Sequence, residues 1–327
     1  MHTLLDPAIL FFLLGILAGS VKSNLEIPAP IAKFLALYLL MAVGLKGGFA
    51  LDKSGLDASV MIPLLACVAM AFVVPILGYA VLRRITDPIN AAAVAASYGS
   101  VSAVTFVTAT QYLESNGLEF GGHMAAAMVL MESPAILLAL VWAQQLQTQG
   151  PLASPGQSAS PHTPAHWGHW LRECFTEGAQ MLLIGAMVIG FVSGETGQAI
   201  MKPFSGDLFK GMLAFFLLDM GLRVAQNFGP ARQAPVWLWA YALLAPLAHA
   251  ALALGLCAVL SLPPVDAVLV MVLSASASYI VVPAVLTHAM PQANPAIYLG
   301  LSLGITFPLN ILVGIPLYTT WAFQCLA

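Results

Sequence analysis

Two runs of small polar residues decide how this chain folds. One is SYGSVSAVT (Ser97 to Thr105) and the other is SASASYIVVP (Ser274 to Pro283). Each sits in the middle of an apolar stretch long enough to be a membrane helix. Serine and glycine weaken helix propensity there, and serine caps new helix starts. Pro283 has no N–H, so the carbonyl of Tyr279 loses its helical partner. Both stretches are therefore expected to break into half-helices. Broken backbone in hydrocarbon is costly unless it lines a cavity or is buried in protein.

Outward from these runs the chain is apolar throughout. Of its 327 residues, 60% are hydrophobic and 8% are charged, against roughly 25% charged in soluble chains. That leaves too few charges for a soluble shell. The net charge is -3 with no basic stripe, so nucleic acid is not an expected partner. A spanning helix needs roughly 20 apolar residues. Ten segments qualify, near 6–23, 28–50, 58–83, 89–113, 121–146, 175–199, 205–227, 234–261, 264–290 and 294–323. The first lacks a basic leader and a cleavage site and reads as a retained helix. The expected class is an all-α membrane protein embedded in the lipid bilayer. Cys67, Cys174, Cys257 and Cys325 share no metal-ligand spacing and are expected to pack as small apolar residues. No transition metal and no cofactor is expected.

The stretch 147–170, rich in Pro, Ser, Gln and Gly, reads as an exposed linker. It divides 1–146 from 171–327, five segments each, and the halves resemble each other. LLMAVGLKG (Leu39 to Gly47) lies over FLLDMGLRV (Phe216 to Val224), pairing Gly44 with Gly221 and Lys46 with Arg223. The same offset lays LGYAVL over LGLCAVL and Ser97 over Ser274. ESPAILL (Glu132 to Leu138) lies over TFPLNIL (Thr306 to Leu312). With an odd number of spans per half, the second half enters the membrane from the opposite side. This is the inverted-repeat plan of secondary transporters, with broken helices 4 and 9 crossing at mid-membrane. Lys and Arg are more numerous on the linker side, which makes the linker cytoplasmic and puts both termini outside.

Such a crossing suits a small anion travelling with a cation. Half-helix N-termini present unbonded N–H groups to the anion. Freed carbonyls and hydroxyls are hard oxygen ligands for a sodium-like ion. Glu132, an ionisable residue inside a span, is a candidate cation or proton site or a cap for the bend at Pro134. Asn310, after Pro308, is a support for the site or a packing amide. Asp219 and Arg223 stand one turn apart and read as an internal ion pair. His249 reads as a packing residue. His162, His166 and His169 in or beside the linker have no regular partner that would make a metal site. Trp167, Trp170, Trp237, Trp239 and Trp321 lie near span ends as interfacial anchors.

The chain resembles the sodium-dependent bicarbonate transporter family, known best from cyanobacteria. The likeness is carried by LLMAVGLKGG (Leu39 to Gly48), YGSVSAVT (Tyr98 to Thr105), LMESPAILLAL (Leu130 to Leu140), YALLAPLAHAALALGL (Tyr241 to Leu256), SASASYIVVPA (Ser274 to Ala284) and PQANPAIYLG (Pro291 to Gly300). It implies ten spans, a core and a gate domain, a homotrimer, and sodium-coupled bicarbonate uptake across a bacterial inner membrane. It implies anion contacts from Gly99, Ser100, Val101 and Ser102 and from Ser274, Ser276 and Ser278. The coupling sodium is assigned to Ser97, Ser102, Thr105, Glu132, Tyr279 and Asn310. Glu132 and Tyr279 both stand where the cyanobacterial members carry aspartate, so one carboxylate is kept and one is lost. The linker is shorter than in those members. A PII-like regulator is known in the family and is a candidate cytoplasmic partner. Another small anion or carboxylate is the alternative cargo. An ion channel is a rival class. So is an intramembrane enzyme, for which no HExxH, GxSxG or aspartate pair is present.

Overall fold

The computed structural model describes residues 6–54, 58–148, 178–231 and 234–326, and all regular structure among them is helical. α1 (Pro7–Ser20) starts at Asp6, whose carboxylate accepts from the Ala8 N–H at 2.8 Å. Pro7 suits the first turn, where its missing N–H costs nothing. α2 (Ala29–Ser54) and α3 (Ala58–Leu82) follow. The fourth segment is two helices, α4 (Pro88–Gly99) and α5 (Ala103–Ser115). Then come α6 (His123–Thr148), α7 (Gly178–Lys202), α8 (Phe209–Ala231) and α9 (Val236–Val259). The ninth segment is again two helices, α10 (Pro264–Ala275) and α11 (Val281–Ala289). α12 (Pro295–Leu326) ends the described chain.

Both interruptions fall inside the two small-residue runs. Among the described residues, six helices are long and apolar enough to cross a membrane, counting α4 with α5 as one, while α1 and α10 are shorter apolar helices. The expected linker begins two residues before α6 ends. Its remainder, with His162, His166, His169, Trp167 and Trp170, lies outside the described residues, as does Cys174 beyond it.

The helices form two groups. In the first, α1 packs on α8 and α2 on α7, backbone against backbone. A methyl group on Gly15 would overlap the Leu218 carbonyl, and one on Gly221 would overlap that of Phe12. Gly44 meets Leu183 and Ala186, and Gly48 meets Met187 and Gly190. In both pairs the residue numbers in contact rise together along the two helices, so the helices run parallel. The second group holds α3 to α6 and α9 to α12. Its interior is full of small side chains: Ala91, Ala92, Ala93, Ala95 and Ala96 in α4 are fully buried. The outward faces carry exposed Leu17, Leu65, Phe72, Val192, Leu244 and Leu252, an apolar coat suited to lipid.

α12 is not uniform. It widens into wider turns at Ser302–Thr306 and Asn310–Gly314. Pro308 lies between them. It cannot donate to the ladder, and its ring presses on the carbonyl four residues back, which a wider turn relieves.

Candidate functional site

The two breaks bond to each other. In an unbroken helix the Ser97 carbonyl would accept from residue 101. Here it accepts from Ser278 N–H at 2.7 Å. In return, Ser102 N–H donates to Ser276 Oγ at 3.0 Å. Ser276 Oγ donates onward to the Leu273 carbonyl at 2.9 Å. Each run thus satisfies a backbone group that the other run freed, as buried polar groups require.

Each new helix start is capped. Ser102 is the N-cap of α5, its Oγ accepting from Thr105 N–H at 3.2 Å and from Thr105 Oγ1 at 2.9 Å. Ser278 Oγ accepts from Val282 N–H at 3.3 Å in the first turn of α11. Pro283 falls in that same first turn, where no N–H is needed. The break therefore lies before the proline. At the closing end of α10, Asn310 Nδ2 donates to the Ala275 carbonyl at 2.8 Å, and Tyr318 donates to Asn310 Oδ1 at 2.9 Å. Asn310 is thus a support: it holds the α10 end from α12.

A cavity of about 60 Å³ opens where the breaks meet the first helix group. It is lined by Val101, Ser102 and Ala103 from one break, by Ser278 to Val281 from the other, and by Glu132, Leu40 and Leu183. The first residues of α5 and α11 are both in its wall, so two helix N-termini point at one small space. Glu132, buried in α6, supplies a carboxylate to the same space. Its volume suits an ion of a few atoms.

Not every expected residue lines this cavity. Val101, Ser102, Glu132, Ser278 and Tyr279 do. Thr105 and Ser276 stand behind, bonded to Ser102. Ser97, Ser100 and Ser274 are fully buried, and their hydroxyls have no protein partner among the described residues. Gly99 packs on Pro75, whose ring a Cβ would meet at 2.5 Å. Close packing against α3 accounts for a glycine at this place in α4. The Asp219–Arg223 pair is formed, with Arg223 Nε donating to Asp219 Oδ2 at 2.7 Å.

Some contributors carry no sequence signal. Leu40 and Leu183 look like any apolar helix residue. Ala103 and Val281 contribute backbone, which no side chain announces. The bond of Tyr98 to Thr306 at 2.6 Å spans 208 positions. Thr306 donates to the Ala242 carbonyl at 2.8 Å, so Tyr98 is the donor to Thr306. This chain ties α4, α12 and α9 together behind the site. A larger cavity of about 640 Å³ lies between α3 and α9, walled by Leu77, Val81, Leu244 and Leu252. It is largely apolar, with Arg84, Tyr241 and His249 also in its wall, and contains no residue of either break.

No curated protein matches the chain. The model of the Na+-dependent bicarbonate transporter superfamily, however, matches residues 7–323, nearly the whole length. The two broken segments, hydrogen-bonded at their breaks around a shared cavity, are thus found in a chain that belongs to the Na+-dependent bicarbonate transporter superfamily.

Proposed function

We propose that this multi-pass membrane protein is a secondary transporter that takes up bicarbonate with sodium through the cavity at the crossed breaks. One observation carries the reading. The N-termini of α5 and α11 and the Glu132 carboxylate converge on one small space. Helix N-termini favour an anion. A carboxylate beside them favours a cation. The two ions together offset each other's charge, which lowers the cost of crossing a low-dielectric layer. Glu132, the one carboxylate among the residues that line the cavity, is the cation side and takes the sodium.

The inverted-repeat plan supports this reading. Parallel packing of α1 with α8 and of α2 with α7 is what an inverted repeat would produce. Gly44 and Gly221, equivalent in the repeat, each make a close approach across such a pair. We read ten spans, a first repeat at 1–146 and a second at 171–327. The linker faces the cytoplasm, the termini face out, and the protein sits in a bacterial inner membrane as a homotrimer. The cavity lies between the two helix groups, with Leu40 and Leu183 on one side and the breaks on the other. Sliding or rocking of one group past the other exposes it to each side in turn.

The test is uptake of radiolabelled bicarbonate into proteoliposomes with and without an inward sodium gradient, repeated with unlabelled formate, nitrate and acetate as competitors. Saturable, sodium-stimulated uptake is expected. Uptake indifferent to sodium removes the symport. Stronger competition by another anion transfers the cargo assignment to it.

A further inference from the structure

We infer that Tyr279 is a hydrogen-bond donor to the transported anion and not a ligand of the sodium ion. The inference rests on the transport reading above and assigns one more group to the same site. Three hydroxyls stand in a row. Thr105 Oγ1 donates to Ser102 Oγ at 2.9 Å, and Ser102 Oγ donates to Tyr279 Oη at 3.3 Å. Ser102 Oγ also accepts the Thr105 amide hydrogen at 3.2 Å, which fills its acceptor capacity. Its single hydrogen therefore goes to the phenol. The phenol oxygen is engaged, and its own hydrogen has no protein acceptor among the described residues.

Tyr279 lines the cavity, and what it offers there is that hydrogen. Its surroundings agree. It lies two residues before the first residue of α11 and is bonded to the N-cap of α5. Both helix ends bring partial positive charge, which repels a cation and attracts an anion. Each hydroxyl that already accepts a bond is a stronger donor to the next group. The row therefore ends in a polarised O–H aimed at an acceptor. The cargo this suits is a small, singly charged oxyanion that accepts from both helix ends and from the phenol at once.

The ring is held independently of its hydroxyl. Tyr279 meets Phe307 edge to face, with centroids 5.4 Å apart. Tyr279→Phe thus removes the donor and keeps the packing. Tyr279→Asp replaces the donor with a second carboxylate next to Glu132.

The experiment measures apparent KM for bicarbonate at saturating sodium and for sodium at saturating bicarbonate, in proteoliposomes of the full chain. Bicarbonate binding to the solubilised protein is measured by calorimetry alongside. A lost hydrogen bond to a charged group should raise the anion KM and Kd of Tyr279→Phe roughly tenfold or more. The sodium KM should stay within about twofold. Tyr279→Asp should weaken the anion further and increase sodium dependence. A raised sodium KM with unchanged anion KM in Tyr279→Phe would place the phenol on the cation and overturn the inference. Unchanged values for both ions would overturn it too. Wild-type vesicles that show no sodium-stimulated uptake would sink the transport reading instead. The inference would then be judged on calorimetry alone, where equal bicarbonate binding by wild type and Tyr279→Phe, or none by either, ends it.

Discussion

The two helix groups solve the same problem by opposite means. The group of α1, α2, α7 and α8 joins its helices through glycine, backbone on backbone. Among the described residues its buried interior holds few polar side chains, chiefly Ser205 and Asp219. The group of α3 to α6 and α9 to α12 holds the rest, from Ser97 to Asn310. Steric fit needs no hydrogen bonds and makes a stiff frame. A polar interior needs every group partnered and is worth building only where something must be bound. The contrast locates the frame in one group and the site in the other, with the cavity on the seam.

Glycines at the frame's helix–helix contacts should therefore tolerate nothing larger. Gly48→Ala sets a methyl group inside the Met187 carbonyl and against the Phe191 amide, with backbone on both sides and no side chain to yield. We expect a loss of about 3 kcal/mol or more, at the upper end of overpacking costs, read as a collapsed melting temperature of the purified protein. The internal control is Gly211→Ala in α8, where nothing lies within 4 Å. It should be neutral or more stable by up to about 1 kcal/mol. Equal behaviour of the two variants would break the claim that close glycine contacts hold the frame together.

Next in size are the bonds that close the broken ends. Asn310→Ala strands the Ala275 carbonyl and the Tyr318 hydroxyl in the interior. The expected cost is about 1–3 kcal/mol, together with loss of uptake, since the α10 end is no longer held. Asn310→Asp keeps the Tyr318 bond and loses the donor, so it should recover little. Ser102→Ala and Ser276→Ala should each cost about 1 kcal/mol while reducing uptake far more than stability. Intact flux in both would remove the breaks from the transport path.

Much of this division was legible in the sequence. The two serine-rich runs mark both breaks, because small polar residues have no reason to recur in the middle of an apolar span. Gly44 and Gly221, which the sequence pairs, each make a close backbone approach, and Ser97 and Ser274, also paired there, both carry buried hydroxyls with no partner among the described residues. Three things were hidden. The cavity wall on the frame side is plain leucine. The donors at the helix starts are backbone. The bonds that knit the breaks, such as Ser102 to Ser276 over 174 positions, belong to the tertiary fold. The wider turns of α12 left only a faint trace, in Gly304, Pro308 and Gly314. ANPxxYxG reads as a family mark, but its physics is local. Asn294 caps α12 through the Ala296 N–H at 3.0 Å, and its own N–H donates to Asn90 Oδ1 at 2.8 Å, pinning the start of α12 to α4.

The smallest effect separates the groups at their edges, where both use the same device. Asp6–Pro7 starts α1 in the frame and Asp87–Pro88 starts α4 in the site group, each aspartate capping its helix. Partial burial works against the Asp87 carboxylate. The Asn90 backbone and side-chain N–H groups, at 3.0 and 2.7 Å, outweigh it and hold its pKa below the ordinary carboxylate range. The folded form therefore binds that proton less readily than the unfolded chain does. Its contribution is full above the ordinary aspartate pKa and is lost as pH falls through the lowered value. Because Asp87 is exposed, solvent screening leaves only a fraction of a kcal/mol in that pH-dependent part. Asp87→Asn keeps a good cap and should match wild type at neutral pH, with a flatter loss of stability in acid. Asp87→Ala should lose about 1 kcal/mol at neutral pH. Both are measured by thermal melts from pH 3 to pH 7. If Asp87→Asn instead abolishes uptake at neutral pH with stability unchanged, the cap has a part in moving α4 as well as in starting it, and the boundary between a static helix start and a working site must be redrawn at residue 87.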